Sequence, residues 1–113
     1  STNVEVANAL AGSALATAHA GRLDEARRIV QQADSIAGTY NPAPLHTAVY
    51  MAQAYGALGD ADRALAWLTR FQPRQNLHFQ LHLRCDPPFD PIAGDPRFRA
   101  LLLEPRPPAG QGC

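Results

Sequence analysis

Apolar and small residues recur through the first two thirds of the chain at three- and four-residue intervals, the spacing that lines one face of an α-helix. From about Val4 to Ala20 nearly every residue is a strong helix former, with Leu10, Ala14 and Thr17 on one face. Gly21 interrupts the run, as a glycine after a helix commonly does. Leu23, Ala26, Val30, Ala33 and Ala37 resume the periodicity and predict a second, amphipathic helix ending near Gly38. Asn41-Pro42-Ala43-Pro44 then reads as a turn, because proline lacks an N–H donor and biases its predecessor away from the helix. A third helix is predicted over about Leu45 to Leu58 through Ala48, Ala52 and Tyr55. Gly59-Asp60 closes it, and Asp60 can accept from the free amides of a fourth helix, about Ala61 to Phe71, that stops before Pro73.

The remainder is less regular. Leu77, Phe79, Leu81 and Leu83 alternate as in a strand, yet Leu77 and Leu81 also satisfy helical spacing. A lone strand would have no partner in an otherwise helical chain, so a short helix is the reading taken. Asp86-Pro87 and Asp95-Pro96 each place an N-capping residue before a proline at the first helical position. The second pair predicts a short helix from Arg97 to Leu103. From Glu104 onward the Pro- and Gly-rich composition reads as a disordered tail.

Two stretches carry the same pattern at a constant offset of 38 positions: Ala14, Thr17, Gly21, Ala26, Val30 and Ala33 correspond to Ala52, Tyr55, Gly59, Ala64, Leu68 and Phe71. A fixed internal period of this length is the mark of a helical repeat. Over residues 7 to 76 the pattern resembles the tetratricopeptide repeat, a helix–turn–helix unit that stacks into a superhelix. Ala14 with Ala26, and Ala52 with Ala64, are the small residues that let paired helices approach. The chain departs from the family at Ala48, where a bulky residue is usual, and in lacking the closing proline of the 34-residue unit. The segment from Asp86 to Leu102 looks like the closing piece of repeat arrays in bacterial signalling proteins and transcriptional regulators, where Phe89, Phe98 and the Leu101-Leu102 pair would cover the open end.

The resemblance implies an all-α fold of stacked antiparallel helix hairpins with a short C-terminal capping helix. Repeat 1 spans about residues 7–40, repeat 2 about 45–76 and a capping segment 77–103, within one domain over residues 4–103 followed by a tail over 104–113. It also implies a concave groove lined by the first helix of each pair, here Asn8, Leu15 and His19, then His46, Val49, Tyr50 and Gln53. The family's clamp for a C-terminal carboxylate needs Lys, Asn and Arg at such positions, and Ala11, Leu15, Val49 and Gln53 do not supply them. A mixed apolar and amide groove suits a neutral or helical segment. The plain alternative is an ordinary surface with no ligand.

Composition narrows the partners. Ten basic residues, all arginine, balance ten acidic ones, so the chain lacks the positive footprint of a nucleic-acid or anionic-membrane binder. Arg22, Arg27 and Arg28 cluster, but Asp24 and Glu25 sit among them and the group reads as a solvated helix face. No apolar run reaches the length of a membrane span. Cys85 and Cys113 make a poor disulfide framework, which favours a reducing, cytoplasmic setting. The start at Ser1 without Met reads as a piece cut from a longer protein.

His78, His82 and Cys85 form the single metal-like constellation, since residues four apart share a helix face and a thiolate could complete a third ligand. Two surface histidines beside a buried thiol are the plainer reading, and no cofactor is expected. Ser13, His19 and Asp24 do not make a catalytic triad, because the first two share one helix and no phosphate loop or carboxylate pair accompanies them. The expectation is therefore a non-enzymatic module that holds a segment of another protein, or of its own parent chain, in the groove. The alternative is a scaffold that self-associates, as a homodimer, through Trp67 or the Phe89/Phe98 surface, because two hairpins fall short of a self-sufficient stack.

Overall fold

The chain enters its first helix through a capping box: Thr2 Oγ1 accepts from the amide of Glu5 at 3.1 Å, and the Glu5 carboxylate accepts from the amide of Thr2 at 2.9 Å. In the computed structural model, which describes residues 2–108, the order is α1 (Asn3–His19), α2 (Leu23–Ala37), α3 (Leu45–Ala57), α4 (Ala61–Leu68), a 3-10 turn (Pro73–Gln75), α5 (Leu77–Cys85), a second 3-10 turn (Pro87–Ile92) and α6 (Pro96–Arg99). The fold is all-α, with no strand among the described residues. Asn76 caps α5 by accepting from the amide of Phe79 at 3.0 Å, so the alternating leucines of that segment belong to a helix.

The 38-residue period reappears in the backbone. Gly21 and Gly59 have φ of 83° and 75°, a left-handed conformation in which a Cβ would be strained. Around Gly21 the amide of Arg22 bonds the carbonyl of Thr17 at 3.1 Å, and that of Gly21 bonds Ala18 at 3.0 Å. Around Gly59 the amide of Asp60 bonds Tyr55 at 3.0 Å, and that of Gly59 bonds Gly56 at 2.9 Å. Both are the paired bonds of a Schellman motif, so the same turn joins α1 to α2 and α3 to α4. Three matched pairs are equally buried: Ala14 and Ala52, Ala26 and Ala64, Val30 and Leu68 all lie in the core.

Helix α3 is the centre of the packing, touching α1, α2, α4 and the Pro87–Ile92 turn. It meets these neighbours with Thr47, Ala48, Val49, Met51, Ala52, Ala54, Tyr55 and Gly56, all buried. Tyr55 crosses to α2 and its hydroxyl donates to Asp34. Thr47 crosses to α1 and donates to Asn8 Oδ1 at 2.8 Å. A Cβ on Gly56 would stand 2.9 Å from the carbonyl oxygen of Pro88 and 3.3 Å from the Phe89 ring, so the second 3-10 turn rests directly on the α3 backbone.

The C-terminal third closes onto this frame. Phe89 and Phe98 are fully buried and pack on each other with ring centroids 5.6 Å apart. Gln80, also buried, donates to the carbonyls of Pro73 at 2.9 Å and Leu101 at 2.7 Å, while its oxygen accepts from the amide of Leu103 at 2.8 Å. Arg74 donates to the carbonyls of Ala100 and Leu102. The chain after α6 is thus laid as a strap along α5. Asp95 caps α6 and pairs with Arg97, whose side-chain and backbone N–H groups hold the Asp95 carboxyl down to about 2. Arg97 also reaches Asp62 at 2.8 Å and clasps α6 to α4. The radius of gyration, 13.3 Å, is that of a closed domain of about this size.

Several expectations need correction. The fourth helix ends at Leu68 instead of Phe71, where the Thr69 hydroxyl bonds back to the carbonyl of Leu65 and Pro73 approaches. The last helix ends at Arg99 and not Leu103, because the carbonyls of Ala100, Leu101 and Leu102 and the amide of Leu103 bond to Arg74 and Gln80 instead of continuing a helix. Asp86 does not cap the turn it precedes; its carboxylate is turned to Gln53 and His82. Trp67 is 2 % exposed and carries the Arg70 guanidinium 3.7 Å from its ring, so neither it nor the buried Phe89/Phe98 pair offers a dimer face. Within the expected tail, Arg106 is anchored to the carbonyl of Leu83 at 2.6 Å and to Asp90; residues 109–113, with Cys113, lie outside the described residues.

Two predictions follow from this packing. Gly56→Ala forces the Pro87–Ile92 turn off α3 and lowers stability by about 1–3 kcal/mol, a fall of roughly 4 °C in melting temperature per kcal/mol; an unchanged melting curve contradicts the contact. Burial, reinforced by Asp34, pushes the Tyr55 hydroxyl well above its ordinary titration. The folded chain therefore holds that proton more tightly, and the contribution is present below about pH 10 and lost as pH rises beyond it. Tyr55→Phe should cost about 1–2 kcal/mol at neutral pH and flatten the alkaline limb of the stability profile, read by urea unfolding; parallel alkaline limbs would refute the assignment.

A candidate partner-binding groove between α3 and α5

Positions 46, 49, 50 and 53 follow helical spacing and fall on one stripe of α3. His78 and His82, one turn apart, do the same on α5. The fold sets these stripes opposite one another. Leu45, His46, Val49 and Tyr50 from α3 and His78 and His82 from α5 enclose an open pocket of about 230 Å³. Val49 is buried and Leu45 half-buried beneath it, while Tyr50 is 42 % exposed at the rim. Its inner surface is aliphatic and its edge is aromatic and imidazole-bearing.

A polar link fixes the spacing of the two walls. The Asp86 Oδ2 atom, at the C-terminus of α5, accepts from Gln53 Nε2 at 2.7 Å and from His82 Nδ1 at 2.6 Å. The carboxylate thereby ties α3 to α5 and orients the His82 ring. His78 stands edge-on to His82 with ring centroids 4.9 Å apart. No acidic side chain lines the pocket itself.

Of the groove residues expected from the sequence, His46, Val49 and Tyr50 line this pocket, and Gln53 braces it through Asp86. The three from α1 do not join them. Asn8 is occupied by the Thr47 hydroxyl, Leu15 is half-buried, and His19 is exposed near the end of α1. Cys85, weighed in the sequence as a third metal ligand or a buried thiol, is disulfide-bonded and half-buried. Among the described residues no three of His, Cys, Asp and Glu gather to hold a metal ion. His78 and His82 instead belong to the groove wall. Their spacing on α5 was visible in the sequence, whereas their position opposite α3 depends on a tertiary contact that no local pattern encodes.

A second surface lies on the outer side of α5. Leu77, Leu81 and Leu103 are 80 %, 56 % and 46 % exposed, and together with Arg84 and Glu104 they surround a shallow hollow of about 220 Å³. No described helix is long and apolar enough to cross a membrane. Comparison with protein-family models, with curated proteins and with solved structures finds no match to this chain.

Proposed function

We propose that this chain is a short interaction module of the tetratricopeptide type, without catalytic activity, that holds a segment of another protein or of its own parent chain between α3 and α5. The observation that carries the reading is the convergence of His46, Val49 and Tyr50 with His78 and His82 around one apolar-floored pocket. Support for the repeat assignment comes from the 38-residue period and from the two matching Schellman turns. A pocket of this volume admits one large side chain, and Tyr, exposed at its rim, is among the residue types enriched at the energetic centres of protein contacts. Peptides selected by display against the immobilised protein should lose about tenfold or more in affinity on Tyr50→Ala or His46→Ala, about 1.4 kcal/mol or more. Gln31→Ala, on the exposed side of α2, should leave affinity unchanged. Equal affinity for the wild type and both groove variants defeats the proposal.

The leucines of α5 favour a second reading, self-association through its outer face. An apolar cluster this exposed is uncommon on a monomer's surface, and a two-fold pairing would bury Leu77, Leu81 and Leu103 of both copies. Light scattering after size exclusion should show mass rising with concentration for the wild type and a constant single-chain mass for the double variant Leu77→Gln, Leu81→Gln. A wild type that keeps the mass of one chain throughout removes this reading.

A further inference from the structure

We infer that the segment held between α3 and α5 is acidic, with carboxylate side chains flanking one aliphatic residue, and that proton uptake by the groove strengthens its binding. The inference rests on the groove reading and adds the chemistry of the occupant. Three of the four histidines in the chain meet at this pocket, His46 from α3 and His78 and His82 from α5, although they are separated by up to 36 positions in sequence. The lining holds no acidic side chain and no arginine. Around the imidazoles the titratable and charged groups are Tyr50 on α3 and Asp86 beyond His82. Behind Asp86, Arg106 bonds its backbone carbonyl and the carboxylate of Asp90.

The Asp86 carboxylate keeps its charge but lies beyond His82 and outside the pocket lining. Its Oδ2 atom already accepts from both Gln53 and His82. An anion at the rim therefore meets imidazoles first. Histidine is the side chain whose ordinary titration falls between pH 5 and 8, and an anion held beside an imidazole favours its protonated form. Proton and ligand thus bind with positive coupling, each raising the affinity of the other. Beneath this rim the Val49 and Leu45 floor accepts an aliphatic group, which contributes by burial and is indifferent to pH. A basic partner gains nothing from such a rim. A nucleic acid is disfavoured because the chain has formal net charge zero and no fixed cation at the pocket. The sequence had suggested a neutral or helical segment; the imidazoles contributed by α5 change the expected charge.

The experiment uses three fluorescein-labelled probes, Glu-Glu-Leu-Glu-Glu, Gln-Gln-Leu-Gln-Gln and Lys-Lys-Leu-Lys-Lys, titrated with the whole chain and read by anisotropy at about pH 6 and about pH 8, a range in which glutamate stays ionised. The acidic probe should bind tightest and gain about threefold or more in affinity on going from the higher pH to the lower, with the neutral probe flat. The double variant His46→Gln, His78→Gln, both exposed positions, should abolish that gain with its circular dichroism unchanged. His19→Gln, on α1 and outside the pocket, should keep it. Acidic binding that is no tighter than neutral or basic binding, that is independent of pH, or that keeps its pH dependence in the double variant overturns the inference. So does a failure of all three probes to bind. The groove reading is judged separately, by whether display-selected peptides of any charge depend on Tyr50 and His46.

Discussion

Helix α3 must fit against four neighbours at once, and a helix so enclosed can carry bulk only where a neighbour leaves room. Ala48, Ala52 and Ala54 keep its flanks thin, and Gly56 leaves a face so bare that the backbone of Pro88 sits on it. Close approach of this kind converts small side chains into tight packing, because interiors fill to near-crystalline density only when surfaces interdigitate. The bulk lost on α3 is supplied by its neighbours and by its ends, through Leu65, Trp67 and Leu68 of α4 and Phe89 of the second 3-10 turn. Everything that follows in the chain is placed relative to this helix.

The C-terminal third completes the core with short elements. After α4 the core is completed by Phe79, Leu83, Phe89, Ile92 and Phe98 drawn from three short elements. Short helices contribute little stability of their own, so side chains tie them down. Gln80 uses both of its N–H donors and its oxygen on three backbone groups, and Arg74 and Arg106 bind carbonyls of the adjoining segments. The Gln80 and Arg106 contacts are buried or half-buried and those of Arg74 are exposed, and all are made to chain lacking regular hydrogen bonds, where the alternative would be unpaired carbonyls.

The same finishing segment creates the candidate site. Because Asp86, the residue that follows α5, reaches Gln53 and His82, the face of α5 that carries His78 and His82 is presented to the α3 stripe. The pocket is thus a by-product of how the last element is docked. Its chemistry is split between the two helices: α3 supplies the aliphatic floor and Tyr50, while α5 supplies most of the imidazole edge.

What the sequence by itself determined was local and periodic. The helix positions through α5, the two glycine turns and the Asp60 and Asp95 caps follow from short-range rules of propensity, spacing and backbone conformation, and the 38-residue offset foretold that Gly21 and Gly59 would adopt one turn. The α3 stripe of His46, Val49, Tyr50 and Gln53 was legible for the same reason. Only the tertiary structure decided the premature end of α6, the strap held by Gln80, and the placing of His78 and His82 of α5, instead of the expected α1 residues, beside the α3 stripe. These depend on contacts between residues 20 or more positions apart, as from Gln53 to Asp86 or Arg106 to Leu83. In such contacts a polar group chooses its partner by proximity in space, which the pattern of neighbours along the chain does not carry.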